Sequence, residues 1–209
     1  MNDPYHAVGL HRNPFRIDPD PGVVESLFLS RASPKVPAPK GRRFLQVMGP
    51  RGAGKTTLLL HWRRTVSGPY RYVPPSLERW LPLPIAPLVY WDEADRVPAE
   101  LFYPALAASR LFESTVVVGT HEDLGAAAAR FGFTVETFEI PVIRPEEVMR
   151  WAEVRIRADS MEPGSPGLVL EYEEACRVAR DADRSWRRVG GHLHRWAAGI
   201  VNRSTTSYT

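Results

Sequence analysis

The sequence predicts an α/β fold in which five parallel strands form a sheet with helices on both faces, followed by a small helical unit. Short apolar runs, such as the β-branched residues 115–119, alternate with longer helical patterns between residues 42 and 142. This alternation favours a parallel sheet, because parallel neighbours need a crossover connection, usually a helix. After Arg144 no strand pattern recurs, and three helical patterns follow instead.

The individual elements follow from local patterns. The predicted strands span residues 42–48, 70–73, 87–91, 115–119 and 135–142. The predicted helices span residues 55–66, 98–112, 123–131, 145–158, 172–182 and 185–201. Pro145 followed by two glutamates is typical of a helix start. We therefore expect an N-terminal arm (1–40) packed on the domain, a sheet core (41–143), a helical lid (144–203) and a polar, frayed tail (204–209).

The composition indicates a soluble globular protein of reducing compartments. The chain has 209 residues, of which 44% are hydrophobic and 24% charged, close to the average for such proteins. A single cysteine, Cys176, excludes an intrachain disulfide. No apolar run approaches the ~18–20 residues of a membrane span, and the first twelve residues lack the apolar centre of a signal peptide. We expect a cytoplasmic protein without a membrane span.

The charge is mildly positive and unevenly distributed. The formal net charge is +3, and lysine occurs only at Lys35, Lys40 and Lys55. Residues 184–203 contain five arginines and no acidic residue. This segment is interpreted as a solvated basic face, a surface turned toward a partner subunit or a stripe that faces nucleic acid, and the sequence leaves these alternatives open.

A phosphate-binding loop follows the first predicted strand. Residues 49–56 read GPRGAGKT, which matches the pattern G-x-x-x-x-G-K-[ST] between a strand and a helix. Glycines let backbone N–H groups turn toward phosphate oxygens, and the helix directs its positive end at the same place. The lysine supplies a cation for the β- and γ-phosphates. The predicted ATP-binding residues are Gly49, Pro50, Arg51, Gly52, Ala53, Gly54, Lys55, Thr56 and Thr57.

A second motif supplies acidic residues. The apolar run at residues 88–91 ends in Asp92 and Glu93. We expect Asp92, together with the hydroxyl of Thr56, to hold Mg²⁺, and Glu93 to act as the general base for an attacking water. Asp95 is the alternative acid. An adjacent Asp-Glu pair favours hydrolysis over transfer of the phosphoryl group to an acceptor hydroxyl.

These motifs together resemble those of AAA+ ATPases. The resemblance rests on the loop at 49–56, on Asp-Glu-Ala at 92–94, on Gly-Thr-His at 119–121 and on the helical lid. The arm sequence VGLHRNPF at 8–15 is similar to the G-L-x-x-x-P-F opening of one bacterial branch, which includes secretion-associated ATPases and ATPase regulators of DNA transposition. The resemblance implies an ATP-hydrolysing switch that forms a homo-oligomeric ring or filament and acts on DNA or on a partner protein complex.

The resemblance also implies roles for single residues. The polar sensor at the end of the fourth strand is Thr120, with His121 as the alternate, although Thr120 fits a helix N-cap equally well. The arginine finger, which reaches into a neighbouring subunit, is Arg130, although an arginine there also suits the helix dipole. The lid sensor is Arg187, with Arg188 as the alternate.

The segment between the two motifs departs from the family pattern. It contains six prolines between Pro69 and Pro87, so the second strand must be short. Residues 77–80 are the candidate for a substrate-threading loop, but we expect Trp80 to pack in the core, which argues against a processive unfoldase. Two other functions stay open: a P-loop kinase, and a binding module that holds ATP without hydrolysing it.

Overall fold

The computed structural model describes residues 3–16, 35, 38–39, 41–162 and 168–206 of the chain. These residues form two compact units. The sheet unit contains the described residues from 35 to 140. The helical unit contains residues 3–16 together with the described residues from 141 to 206, so the N-terminal arm belongs with the helices.

The sheet unit has the predicted strands and helices. The strands are β1 (Arg43–Met48), β2 (Tyr70–Tyr72), β3 (Leu88–Asp92), β4 (Thr115–Thr120) and β5 (Thr134–Glu139). The helices are α1 (Lys55–Thr65), α2 (Ala99–Leu111) and α3 (Gly125–Arg130), with short 3-10 turns at Leu77–Trp80 and Ala94–Arg96. All pairs are parallel, in the order β2-β3-β4-β1-β5. With the phosphate loop between β1 and α1, this is the α/β P-loop NTPase fold that the sequence predicts.

The position of β4 organises the sheet. It lies between β1 and β3, with Met48 beside Thr120 and Asp92 beside Gly119. The carboxyl ends of parallel strands meet at one edge of a sheet, where ligands bind in open α/β folds. The residues that follow β1, β3 and β4 are therefore brought together, although they are far apart in the sequence.

Helices cover both faces of the sheet because alternate side chains point in opposite directions. On one face Phe44, Trp91 and Val118 pack with residues of α2 and α3. On the other face the hydroxyl of Tyr90 donates to the carbonyl oxygen of Val66, the residue that follows α1. The central strands are buried on both sides, and every residue of β3 and β4 is inaccessible or nearly so.

One buried polar side chain in β1 fixes the start of α3. The amide nitrogen of Gln46 donates to Asp123 at 2.7 Å and to Thr137 at 2.8 Å, and its carbonyl oxygen accepts from the backbone N–H of Leu124 at 2.9 Å. The buried amide is therefore satisfied, as burial of a polar group requires.

The connection between β2 and β3 differs from the expectation at Trp80. That side chain is 49% exposed, so the prediction that it packs in the core is wrong. The connection is held instead by hydrogen bonds to its carbonyl groups. The guanidinium of Arg71 donates to Pro82 and Glu78, and the indole of Trp91 donates to Pro84. Since these hydrogen bonds hold the backbone of the connection in place, its structure does not require burial of the Trp80 side chain.

The helical unit consists of the arm and three helices. They are α4 (Pro145–Asp159), α5 (Tyr172–Asp181) and α6 (Trp186–Thr206). Helix α6 continues beyond the predicted end at residue 201 because residues 202–206 contain neither glycine nor proline. The last part of the predicted tail, residues 207–209, lies outside the described residues. Within the part of the chain that the structure describes, no helix combines the length and the apolar character needed to span a membrane.

The arm residues that resemble the G-L-x-x-x-P-F motif have a packing role. Leu10 and Phe15 are completely or almost completely buried in the apolar core of the helical unit. Leu10 also forms an isolated antiparallel bridge with Ser160, the residue that follows α4. The side chain of Asn13 closes a turn by accepting from the N–H of Phe15 and donating to the carbonyl oxygen of His194.

Candidate nucleotide-binding site

The phosphate loop has a conformation that only its glycines allow. Gly52 and Gly54 have φ values of +80° and +104°, in the left-handed region that other residues rarely adopt. Gly49 lies so close to its neighbours that an added Cβ would approach Ala53 at 3.3 Å. Gly54 is the N-cap of α1 and provides no side-chain hydrogen bond. The first N–H groups of the helix therefore have no side-chain acceptor from the cap, as in an anion site.

The other predicted ATP-binding residues line the same turn. Pro50 and Arg51 are exposed, and Thr56 and Thr57 are half-buried at the start of α1. Ala53 is buried, and its N–H donates to the carbonyl oxygen of Pro50 at 3.2 Å. The structure thus brings the whole predicted set together in one turn.

Lys55 is the buried cation of the site. Its side chain is folded back over the loop, where Nζ donates to the carbonyl oxygens of Gly49 at 2.8 Å and Pro50 at 3.3 Å. Burial lowers the pKa of Lys55, and the nearby carboxylates of Glu93 and Asp92 oppose that effect. The ammonium group is therefore held at the mouth of the loop by neutral carbonyl groups.

His121 connects Lys55 with Glu93. The imidazole Nδ1 lies 3.2 Å from Nζ of Lys55, and Nε2 lies 3.0 Å from Oε2 of Glu93. Both contacts are satisfied when Nδ1 accepts from the lysine and Nε2–H donates to the carboxylate, which assigns the tautomer from the hydrogen bonds. The backbone N–H of His121 donates to Oδ1 of Asp95 at 3.2 Å. The residues that follow β1, β3 and β4 therefore form one hydrogen-bonded cluster.

Glu93 has an unusual backbone conformation. Its φ and ψ are +59° and +44°, and such left-handed conformations in a residue other than glycine cost ~1–3 kcal/mol and concentrate at functional sites. Its carboxylate also pairs with Arg96, at 2.7 Å between Oε2 and NH2. Arg96 is anchored in turn by the hydroxyl of Tyr72 at 3.1 Å and the carbonyl oxygen of Val73 at 3.0 Å. The carboxylate is thus fixed from two sides, by His121 and Arg96.

Asp92 is completely buried at the end of β3. Its Oδ2 accepts from the hydroxyl of Tyr70 at 2.9 Å, whereas Oδ1 has no hydrogen-bond partner among the described residues. Oδ1 lies against Gly119, where an added Cβ would approach it at 2.5 Å. Burial raises the pKa of Asp92, and the hydroxyls of Thr56 and Tyr70 act in the opposite direction.

The residues present fit Mg²⁺ bound with a nucleotide. Among the described residues no group of three or more His, Cys, Asp or Glu side chains is arranged to hold a metal ion by itself. Mg²⁺ usually binds through one or two protein ligands together with substrate phosphates and water. A buried carboxylate oxygen without a partner on Asp92, beside the hydroxyl of Thr56, is a donor set of this kind.

Thr120 and the next residue, His121, have different hydrogen-bond partners in the structure. Its hydroxyl donates to the carbonyl oxygen of Glu122 at 2.7 Å and accepts from the N–H of Glu122 at 3.1 Å. The side chain is fully buried in this local turn, and His121 contacts the catalytic candidates. The predicted role of Thr120 as the sensor stays a prediction, and the contacts favour His121.

The two predicted arginine roles involve exposed side chains. Arg130 is the last residue of α3, and no ion pair or hydrogen bond of its guanidinium is found among the described residues. Arg187 lies in the first turn of α6 in the helical unit and is also exposed. Its alternate, Arg188, lies 3.4 Å from the carboxylate of Asp183. The roles of finger and lid sensor stay predictions.

Two residues of the site were not identified from the sequence. Tyr70, which bonds Asp92, lies on the neighbouring strand β2, and nothing in its local pattern distinguishes it. Arg96, which pairs with Glu93, had a usable signal, because opposite charges three residues apart in a helical turn are neighbours.

Comparisons with known proteins find likenesses among solved structures alone. No protein-family model matches the sequence, and no curated protein matches it significantly. The structure of the Holliday junction branch migration motor RuvB from Thermotoga maritima matches with a TM-score of 0.49 and 18% identity, over 73% of this chain and 53% of that chain. A single-residue variant of the same RuvB matches with a TM-score of 0.49 and 16% identity, over 80% and 57%. The chain spans about half the length of these RuvB chains.

Proposed function

We propose that this protein binds ATP with Mg²⁺ at the phosphate loop and hydrolyses it. The observation that carries the proposal is the cluster at the carboxyl ends of β1, β3 and β4. There Lys55, His121 and Glu93 are joined by hydrogen bonds of 3.0–3.2 Å, directly beside the start of α1, where the cap residue Gly54 provides no side-chain acceptor. A cation, a positioned carboxylate and an anion-binding loop at one sheet edge are what phosphoryl chemistry requires.

Each part of the cluster has a separate task. The N–H groups at the start of α1 and the ammonium group of Lys55 bind the phosphates. Thr56 and Asp92 are the residues that hold Mg²⁺, which supplies charge neutralisation of the phosphates when it is bound. Lys55 must turn from the carbonyl oxygens of Gly49 and Pro50 toward the phosphates, and its burial favours an anionic partner.

Glu93 is the proposed general base. Its carboxylate accepts the proton of the attacking water, and His121 and Arg96 hold that carboxylate in place. The strained backbone at residue 93 supports this role, since strain persists only where the surroundings enforce it. Asp95, the alternative acid, is engaged with the backbone of His121 and serves in this proposal as a positioning residue.

We further infer a switch of the AAA+ type that assembles as a homo-oligomer. The sequence motifs support this inference, as does the exposed guanidinium of Arg130, which lacks an ion-pair partner among the described residues. In this proposal His121 takes the sensor position, with Thr120 as the alternate, and Arg187 is the remaining catalytic candidate. DNA or a protein complex is the proposed macromolecular partner, and the single cysteine supports a cytoplasmic location.

The proposal is tested by measuring phosphate release from ATP, with and without Mg²⁺, on the wild-type protein and on Glu93→Gln. The glutamine keeps the shape of the side chain but removes the base, so turnover should fall ~10²-fold or more while ATP binding persists. Asp95→Asn is the matched control, because its Oδ1 can still accept from the N–H of His121. A Glu93→Gln variant with full activity would contradict the assignment, and an inactive Asp95→Asn would transfer the role to Asp95.

The same assay separates the two alternative functions. A kinase would release little phosphate until a hydroxyl acceptor is added, and a binding module would bind ATP without turnover under any condition. Phosphate release from ATP without any added acceptor would mean that water accepts the phosphoryl group, which is the outcome that supports hydrolysis.

A further inference from the structure

Helix α6 carries a basic face opposite its buried face. Its core residues recur every four positions, at Val189, Leu193, Ala197 and Val201, and each is at most 1% exposed. Because a helix turns once every 3.6 residues, the set of residues 188, 192, 195, 199 and 203 lies along another side. Arginine occupies three of those positions, histidine the second and glycine the fourth, and no acidic residue occurs between residues 184 and 203.

This basic face forms one wall of a cleft in the helical unit. The cleft lies between α5 and α6 and has a volume of about 360 Å³. Its lining residues are Glu174, Arg177, Val178, Asp181, His192, Arg195, Trp196, Gly199 and Arg203. Four of the six charged or titratable side chains in the lining are arginine or histidine, so a negatively charged ligand is favoured.

The ion pairs within the cleft leave Arg195 available. Arg177 is neutralised by Glu174, whose two carboxylate oxygens both lie 2.5 Å from its NH2. Arg195 is exposed, and its contact is with Nδ1 of His192 at 3.4 Å rather than with a carboxylate. Asp181 is the remaining carboxylate of the lining and opposes binding of an anion.

Gly199 provides close access to the helix backbone. A glycine inside a helix costs ~1 kcal/mol relative to alanine. Apart from the adjoining residues and the backbone of the helix itself, no heavy atom of the described residues lies within 4 Å of the position that a Cβ would take, so neighbouring side chains do not require the glycine. A side chain placed at residue 199 would therefore project into open space on this face, where a bound ligand would meet it.

We propose that this surface of α6, with the cleft beside it, binds the phosphate backbone of double-stranded DNA. From Arg188 to Arg203 the helix rises ~22 Å, the length of six or seven base pairs. The aromatic residue of the lining, Trp196, packs edge-on against Phe15 in the core. Only part of its ring is therefore accessible for stacking on unpaired bases, the mode typical of single-strand binding.

The proposal is tested with the full-length protein and a fluorescent 30-base-pair duplex, by anisotropy over a series of salt concentrations. Gly199→Glu places a carboxylate in open space on the binding surface and should weaken binding ~10-fold or more. Gly199→Ala, its matched control, should bind nearly as well as the wild type, because a methyl group adds no charge. Both variants should fold, since neither side chain meets a neighbour at Cβ.

Charge changes of both signs provide a second test. Arg195→Gln should weaken binding about tenfold at low salt and reduce the salt slope by about 1, as loss of one phosphate contact does. Asp181→Asn should strengthen binding, because it removes the opposing carboxylate. Arg157→Gln in α4, where the arginine already pairs with Glu153, should have little effect.

The proposal concerns the helical unit and does not depend on the proposed ATPase activity, which all four cleft variants should retain. The proposal would be overturned if Gly199→Glu binds the duplex as tightly as the wild type. It would also be overturned if Arg157→Gln loses as much affinity for the duplex as Arg195→Gln. Preference for a single strand of the same length would also overturn it. Displacement of the duplex by polyglutamate at equal charge concentration would show a surface for acidic proteins instead.

Discussion

The imidazole Nε2 of His121 lies 3.0 Å from the carboxylate oxygen Oε2 of Glu93, so the residue after β4 directly orients the proposed base. The same ring lies 3.2 Å from Nζ of Lys55. One side chain thus links the proposed phosphate-binding cation with the proposed general base. Movement of Lys55 toward a phosphate would therefore change its contact with His121, and through His121 the orientation of the Glu93 carboxylate.

This relationship predicts different effects for two adjacent substitutions. His121→Ala should lower kcat ~10-fold or more, because Glu93 loses an orienting donor, while ATP affinity changes little. Thr120→Val removes a hydroxyl whose hydrogen bonds among the described residues stay within its own turn, and it should cost about 1 kcal/mol of stability with little loss of kcat. Steady-state kinetics and thermal unfolding of both variants check this. If Thr120→Val lowers kcat more than His121→Ala does, Thr120 is the sensor.

A second prediction concerns Lys55. Replacing it by alanine removes the cation beside the phosphate loop, and ATP binding measured by calorimetry should be lost. Arg64→Ala removes an exposed cation from the same helix outside the loop and controls for the overall change in charge. Circular dichroism establishes that both variants are folded. If Lys55→Ala binds ATP with the wild-type affinity, the loop is not the nucleotide site.

A third prediction follows from the buried carboxylate of Asp92. Oδ1 has no partner among the described residues, so Asp92→Asn should stabilise the nucleotide-free protein by about 1 kcal/mol, while stabilisation by ATP with Mg²⁺ is lost. Because burial raises the pKa of Asp92 above its ordinary value of 3.8, ionisation disfavours the folded state.

The gain from Asp92→Asn should therefore be largest above the raised pKa and should shrink as the pH falls toward 3.8. Thermal unfolding between neutral and mildly acidic pH measures this dependence. A gain that does not change with pH would indicate that folding does not raise the pKa of this carboxylate.

A fourth prediction concerns assembly. If Arg130 acts as a finger in a neighbouring subunit, ATPase activity per subunit should rise with protein concentration, and Arg130→Ala should remove that rise without loss of ATP affinity. Such fingers are worth ~10³–10⁵ in rate in GTPases. Mixing Arg130→Ala with Glu93→Gln should restore part of the activity, because an intact base then meets an intact finger. If the activity per subunit does not change with protein concentration and Arg130→Ala is fully active, the protein works as a monomer.

The sequence alone determined those parts of the protein whose structure depends on residues adjacent in the chain. The phosphate loop is local, because its glycines, lysine and threonine act through one turn and one helix start, and the structure places all of them there. The alternation of strands and helices likewise predicted the parallel sheet, since each element is encoded by its own periodicity. The Asp-Glu pair was recognisable because both acids follow one apolar strand.

Tertiary structure decided which of these parts touch. The order β2-β3-β4-β1-β5 places His121 between Lys55 and Glu93, and it places Tyr70 beside Asp92. Local patterns do not encode strand order, because side-chain contacts between strands depend on which strands become neighbours in the folded sheet. For the same reason the exposure of Trp80 was not foreseen: hydrogen bonds from Arg71 and Trp91, on other strands, hold its segment in place.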